Sequence, residues 1–295
     1  MDLLNTKSNP MLVVADDPGA EERQMGTILV ESGKLAPEDI ERVLHVQQER
    51  GIRFGEAAIR LGLVTEADVE RALARQFLSP FLQRGDSQIS PEVVAAYEPR
   101  SAKVEDLRAL RTQLMLRWFS PERKLLAVVS PNRGEGRSYL AANLAVVFSQ
   151  LGQRTLLIDG NMRNPRQHLL FNLPNRTGLS AILSGRGALG AIERISSLEG
   201  LAVLSSGAEP PNPQDLISRP IFSRLLTELS KDFEIIIIDT PASGAGADAP
   251  MVAVRAGGAL LVARKDHTPL RDIKNFAAQI SGSNTGIVGA VLNTF

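Results

Sequence analysis

The chain has 295 residues, with 33 Lys and Arg balanced by 33 Asp and Glu, three His and no Cys. That length accommodates two ordinary domains, and the charge balance sets up no overall field that would draw in nucleic acid or an anionic membrane. The absence of Cys excludes a disulfide scaffold and a thiolate metal site and suits a reducing compartment, while His45, His168 and His267 are too scattered for a metal cluster.

Apolar runs such as 235–238 and 259–263 are strand-sized, and 11–14 is too short for a signal peptide. A cytoplasmic chain without a membrane span is therefore expected, reaching a membrane only through a partner. Residues 1–23, with Pro10 and Pro18 among small and charged residues, read as a disordered tail.

An internal repeat follows at 24–77. Residues 24–47 and 53–76 are two 24-residue copies of one pattern, separated by five residues. In each copy a glycine (Gly26, Gly55) opens a short amphipathic turn and a second glycine (Gly33, Gly62) stops it at a C-cap. Ala36 and Thr65 then open a second helix, the latter with Glu66 and Asp68 in its first turn. Ile40, Val43, Leu44 and Val69, Ala72, Leu73 give that helix an apolar face. The expected product is a pair of small helical hairpins.

The repeat resembles the N-terminal domain of type II secretion and pilus-assembly ATPases, some of which bind cyclic di-GMP. The resemblance implies a dinucleotide site at Gly26, Leu29 and Gly33 in the first copy and at Arg53, Gly55, Gly62 and Gln76 in the second. The first copy carries Gln24 in place of the family's Arg, and Lys34 at an apolar position. A packing and docking module and a cyclic di-GMP sensor are both open readings. Residues 78–100, punctuated by Pro80, Gly85, Pro91 and Pro99, read as a linker.

From residue 101 the pattern alternates strands and helices, which predicts a parallel sheet flanked by helices. Strands are expected at 125–129, 155–158, 201–204, 234–238, 259–263 and 287–292, apolar on both faces as a buried parallel sheet requires. The first leads into Ser130-Pro-Asn-Arg-Gly-Glu-Gly-Arg-Ser138 and then a helix. A strand, a Gly-rich turn and a helix N-terminus form an anion site, so Arg133, Gly134, Glu135, Gly136, Arg137, Ser138 and Tyr139 are the candidate nucleotide-binding residues. Asp159 and Asp239 end two later strands on the edge where that loop lies. Two acids, a hydroxyl and a phosphate cradle are the parts that Mg²⁺ and ATP need.

This set resembles the bacterial tyrosine kinases of capsule and exopolysaccharide synthesis, above all the separate-chain EpsG type paired with a chain-length determinant. The resemblance covers 101–295 and includes Thr177-Gly-Leu-Ser180, Pro210-Pro-Asn-Pro213 and Asp248-Ala249. It implies that Arg137 and Ser138 handle phosphate and metal, that Asp239 orders Mg²⁺ and that Asp159 is the base; Asn293, after the last strand, either contacts adenine or has an ordinary strand-end role. It also implies a homo-oligomer packed through Glu105, Arg108 and Arg111, although their spacing alone, without the resemblance, favours a solvated helix face. A membrane-bound polysaccharide co-polymerase is the implied partner.

Arg137 replaces the wider family's P-loop Lys, Asn161 replaces an acid, and Tyr139 replaces a Thr. The family commonly phosphorylates a Tyr-rich tail. Here the tyrosines are Tyr97 and Tyr139, so the acceptor is expected to be Tyr97 in trans or another protein. A nucleotide-switched regulator of slow turnover is the alternative, and a ParA- or MinD-like ATPase a more remote one.

Overall fold

The computed structural model describes residues 18–76, 81–82, 85, 88–282 and 285–294, in two units that divide between Ser79 and Pro80. The first unit holds α1 (Pro18–Glu31), α2 (Asp39–Arg50), α3 (Phe54–Arg60) and α4 (Glu66–Gln76). The helix containing Gly26 starts at Pro18, inside the stretch expected to be a tail, and the rest of that stretch lies outside the described residues. Gly33 and Gly62 have φ of +67° and +68°, the left-handed backbone required where each first helix of a hairpin stops. Thr65 caps α4 in a capping box: its Oγ1 accepts from Asp68 N–H at 3.2 Å, and Asp68 Oδ2 accepts from Thr65 N–H at 3.0 Å. Leu29, Val43, Phe54, Ala57 and Ala72 meet in the core of this unit.

The second unit contains α5 (Val94–Tyr97), α6 (Ala102–Arg117), β1 (Leu125–Val129), α7 (Arg137–Ser149), β2 (Thr155–Asp159), α8 (Gln167–Leu170) and α9 (Leu179–Leu183). It continues with β3 (Ile192–Arg194), β4 (Leu201–Leu204), α10 (Pro213–Ser218), α11 (Pro220–Asp232), β5 (Ile235–Asp239), α12 (Asp248–Ala256), β6 (Gly258–Arg264), α13 (Leu270–Ser281) and β7 (Gly286–Asn293). The strand order is β3-β4-β2-β5-β1-β6-β7, parallel except for the β3–β4 pair. All six expected strands are present; the short antiparallel β3 adds a seventh.

Strands β1, β2, β4 and β5 are buried on both faces, which their unbroken apolar runs require. One face packs on α7, the other on α11 and α12. Helix α7 is buried from Leu140 to Ser149, because the sheet covers one side while α5 and α6 cover the other.

That cover corrects the linker expectation. Residues 88–97 are a strap on the nucleotide-binding unit: Ile89, Val93, Ala95 and Ala96 are buried in its core. The strap is pinned to α7 by Asn143, whose Oδ1 accepts from Ala95 N–H at 2.9 Å and whose Nδ2 donates to Glu92 O at 3.0 Å. A buried Asn with both ends of its amide satisfied fixes the chain in place.

Candidate active site

The site lies at the carboxyl ends of the central strands, where a doubly wound sheet opens a crevice. β1 ends at Val129, and residues 130–136 turn back into the N-terminus of α7. Gly134 and Gly136 have φ of +76° and +85°, so a side chain at either would be strained. The turn borders a cavity of 140 Å³ lined by Arg133, Arg137, Ser138 and Tyr139 from the loop and helix. Asn161, Arg163 and Arg166 from the segment after β2, with Pro241 and Ala242 after β5, complete its wall.

Asp159 and Asp239 are register partners on β2 and β5, and both are fully buried beneath this cavity. Asp159 Oδ2 accepts from the N–H groups of Arg166 at 2.9 Å and Gln167 at 2.8 Å, and Oδ1 from Asn161 at 3.1 Å. Burial first, and then the Asp239 carboxylate beside it, push Asp159 up to about 7, with the three N–H donors acting in the opposite sense. Gln167 Nε2 donates to Asp239 Oδ2 at 2.8 Å and to Ser138 O at 3.1 Å, tying α7 to β5. Arg137 Nε lies 3.3 Å from Asp239 Oδ1, and Arg137 Nη1 donates to Ser130 Oγ at 2.5 Å. Arg137, Ser138, Asp159 and Asp239, four of the candidate residues, are thus brought together.

Other expected residues take different places. The carboxylate of Glu135 is turned inward, 1% exposed, and accepts from Asn132 N–H at 2.8 Å and from the Thr268 hydroxyl at 2.6 Å. Asn293 Nδ2 donates to Glu135 O at 2.7 Å, so this amide supports the loop from the end of β7. Asn132 Nδ2 reaches Asp272 Oδ2 at 3.2 Å on α13. Three residues far along the chain therefore hold the loop, and nothing in its own sequence announces Thr268 or Asp272. Asn161 Nδ2 donates to Asn164 O at 2.6 Å and Asn164 N–H donates back to Asn161 Oδ1 at 3.2 Å, a closed local turn that an acid at this position could not make in full.

Arg163 and Arg166 were not singled out by the sequence. Arg163 Nε meets the buried Asp248 Oδ2 at 2.7 Å, which fixes one wall of the cavity and accounts for the Asp248-Ala249 pair. Arg166 Nη2 meets both oxygens of Glu92 on the strap, at 2.7 and 2.6 Å. Burial, with the Glu98 and Glu92 carboxylates, raises the Tyr139 phenol above its usual value.

The trio on α6 is engaged within the chain. Arg108 pairs with Glu105 and donates to Pro99 O at 2.7 Å. Arg111 Nη1 donates to Val147 O at 2.7 Å near the C-terminal end of α7, where a cation is favoured.

In the repeat unit a Cβ on Gly55 would lie 2.6 Å from Val69 Cγ1, and one on Gly26 would lie 3.2 Å from Phe54 Cζ. With Leu29 only 1% exposed, these three positions are accounted for by helix packing. Arg53 is exposed, and the side chain of Gln76 lies outside the described residues.

Sheet, loop and paired acids define a P-loop nucleotide-binding fold. No family model matches the chain. It is 34% identical over 207 residues to the putative tyrosine-protein kinase CapB of Staphylococcus aureus, covering 70% of this chain and 90% of that protein. It is 33% identical over 207 residues to the tyrosine-protein kinase YwqD of Bacillus subtilis, covering 70% and 87%. A putative tyrosine-protein kinase in the cps region of Klebsiella pneumoniae is 32% identical over 259 residues, 85% of this chain but 35% of the larger relative. Among solved structures, the kinase domain of the Escherichia coli tyrosine kinase ETK superposes with a TM-score of 0.68 at 31% identity, covering 72% of this chain and 83% of that one. The chain belongs to the bacterial tyrosine-protein kinase family.

Proposed function

We propose that the chain is an ATP-dependent protein tyrosine kinase of the EpsG type, acting with a membrane-bound co-polymerase to set exopolysaccharide chain length. The observation that carries this reading is the buried Asp159–Asp239 pair beneath a cavity rimmed by the P-loop, with Arg137 and Ser138 beside it. The residues fit Mg²⁺ and ATP, since Asp239 Oδ1 is buried without a hydrogen bond, and the start of α7 offers phosphate its free N–H groups. Bound there, Mg²⁺ supplies charge stabilisation for phosphoryl transfer.

In the proposed reaction a tyrosine hydroxyl oxygen forms a bond to the γ-phosphorus of ATP and the bond to the β–γ bridging oxygen breaks. ADP leaves, and the hydroxyl proton passes to Asp159. Arg137 neutralises the phosphates, Ser138 and Asp239 hold the metal, and Arg163, braced by Asp248, shapes the wall.

The acceptor is a tyrosine of another protein. Tyr97 is packed on the core with its hydroxyl donating to Ile89 O at 2.6 Å, and Tyr139 is half-buried within the site itself. In this reading Glu105, Arg108 and Arg111 shape the α6 surface used for homo-oligomerisation, Asn293 acts on nucleotide through the loop, and the repeat unit docks the partner or senses cyclic di-GMP through Arg53.

A second reading, a nucleotide-switched regulator of slow turnover, draws support from the inward set of Arg137. One incubation separates the two. Purified protein, with and without the partner's cytoplasmic segment, is given labelled Mg-ATP, with Asp239→Ala as control. Phosphotyrosine that disappears in the control supports the kinase. Nucleotide bound without phosphotyrosine on either protein leaves the regulator.

A further inference from the structure

The P-loop cation points into the protein. Arg137 is 9% exposed, and its guanidinium spans Ser130 Oγ at 2.5 Å and Asp239 Oδ1 at 3.3 Å. Arg137 Nε and Asp239 Oδ1 are both buried and neither makes a hydrogen bond, so what joins them there is charge attraction without a well-formed bond. Each can gain from a better partner: the guanidinium from phosphate oxygens, the carboxylate from a dication. A lysine would meet the same two groups with one compact ammonium in place of a planar fork. Among the described residues no group of three or more acidic, His or Cys side chains gathers to hold a metal. A dication arriving without phosphate would therefore meet mainly Asp159 and Asp239, with the charge of Asp239 already balanced.

We propose that Arg137 is a positioning residue that holds Asp239 in the place of a metal until nucleotide arrives. Phosphate draws the guanidinium outward, and the same movement frees Asp239 for the divalent cation that the nucleotide brings. Metal and nucleotide then bind with positive coupling, and free metal binds the resting site weakly. The inference rests on the Mg-ATP reading of the cavity and goes beyond it, because it assigns Arg137 two positions and makes one of them inhibitory to metal.

The test titrates Mn²⁺ into the nucleotide-free, full-length protein and follows the unbound ion by electron paramagnetic resonance. Wild type is compared with Arg137→Ala, Arg137→Lys and Ser130→Ala, and with Arg137→Ala combined with Asp239→Asn. Arg137→Ala is expected to bind Mn²⁺ about tenfold or more tightly than wild type, equivalent to about 1.4 kcal/mol. Arg137→Lys and Ser130→Ala should each gain about threefold, and adding Asp239→Asn should abolish the gain.

Wild type is then titrated with a non-hydrolysable ATP analogue, with and without Mn²⁺. Each ligand should tighten the other by the same factor. Equal Mn²⁺ affinity in wild type and Arg137→Ala, or a gain that survives Asp239→Asn, overturns the proposal while leaving nucleotide binding intact. If Arg137→Ala does not melt cooperatively, Arg137→Lys and Ser130→Ala decide by the same comparison. Failure of wild type to bind the analogue, with or without metal, instead sinks the Mg-ATP reading.

Discussion

Replacing Glu135 by alanine tests whether the phosphate loop is held from outside itself. The carboxylate is 1% exposed and accepts two hydrogen bonds, from Asn132 N–H at 2.8 Å and Thr268 Oγ1 at 2.6 Å. Hydrogen bonds to a charged acceptor each contribute about 1.5–3 kcal/mol. Removing the acid also removes its desolvation penalty, and Thr268 keeps its 2.8 Å bond as acceptor from Arg264 N–H, so the net loss should be about 3 kcal/mol. For a unit of this size that lowers Tm by roughly 6–12 °C. Thermal melts followed by circular dichroism measure it, and a fluorescent ATP analogue should bind about tenfold more weakly once the loop loosens. Thr268→Val removes one of the same bonds, so the double variant should cost at least about 0.5 kcal/mol less than the sum of the singles. An unchanged melting temperature in Glu135→Ala, or strict additivity with Thr268→Val, would refute the argument.

The other predictions probe separate parts of the chain. Asp159 sits at about 7, above its ordinary 3.8, so the folded state holds this proton more tightly than the unfolded chain. Its contribution, at most about 4 kcal/mol, is complete below pH 4 and is lost as pH rises through 7. Urea melts of nucleotide-free protein between pH 5 and 8 should therefore show a falling slope that Asp159→Asn flattens; a variant with the wild-type slope assigns it elsewhere. Thr65→Ala removes the capping box of α4 and should cost about 1 kcal/mol. Hydrogen exchange in peptides covering 66–76 should then speed up about fivefold, with peptides of the phosphate loop unchanged. In Gly258→Ala the new Cβ would lie 2.2 Å from Trp118 Cζ2. Overpacking there should cost about 1–3 kcal/mol, and the chain's single tryptophan reports it directly as a shifted emission spectrum and an earlier unfolding midpoint. If Arg53 recognises cyclic di-GMP, calorimetric titration will give heat that Arg53→Ala abolishes; no heat with wild type leaves a docking module.

How far the sequence reached depended on whether a feature was local. Buried parallel strands announce themselves as unbroken apolar runs, and an acid ending such a run is legible as a site residue because strand direction fixes its edge. The strap at 88–97 was misread for the same reason: its Pro and Gly signals are those of a linker, while what buries it is Asn143 on α7, some fifty residues away along the chain. Glu135 looked like one more loop residue until Thr268, 133 positions later, supplied its partner. Arg111 had helix-face spacing, and nothing local announces that its guanidinium reaches the Val147 carbonyl of α7, 36 positions further on. Arg163 and Arg166 gave no local sign, since their meaning comes from Asp248 and Glu92, 85 and 74 positions away along the chain.

The P-loop motif specifies a cradle, but residues contributed by the strap, α12, α13 and β7 decide how stiff it is and where its charges point. The set of Arg137 against Ser130 and Asp239 shows how side chains from neighbouring strands aim a charge of the loop. Turnover should therefore respond to changes that never touch nucleotide. Glu92→Ala would release Arg166, whose backbone N–H holds Asp159. Its effect should appear in kcat more than in nucleotide affinity, since the phosphate loop keeps its own supports on Thr268, Asp272 and Asn293. Steady-state kinetics on an acceptor peptide would show this as a lower kcat at an unchanged KM for ATP. A change confined to KM would place Glu92 in nucleotide binding and break the proposed link from the strap to the base.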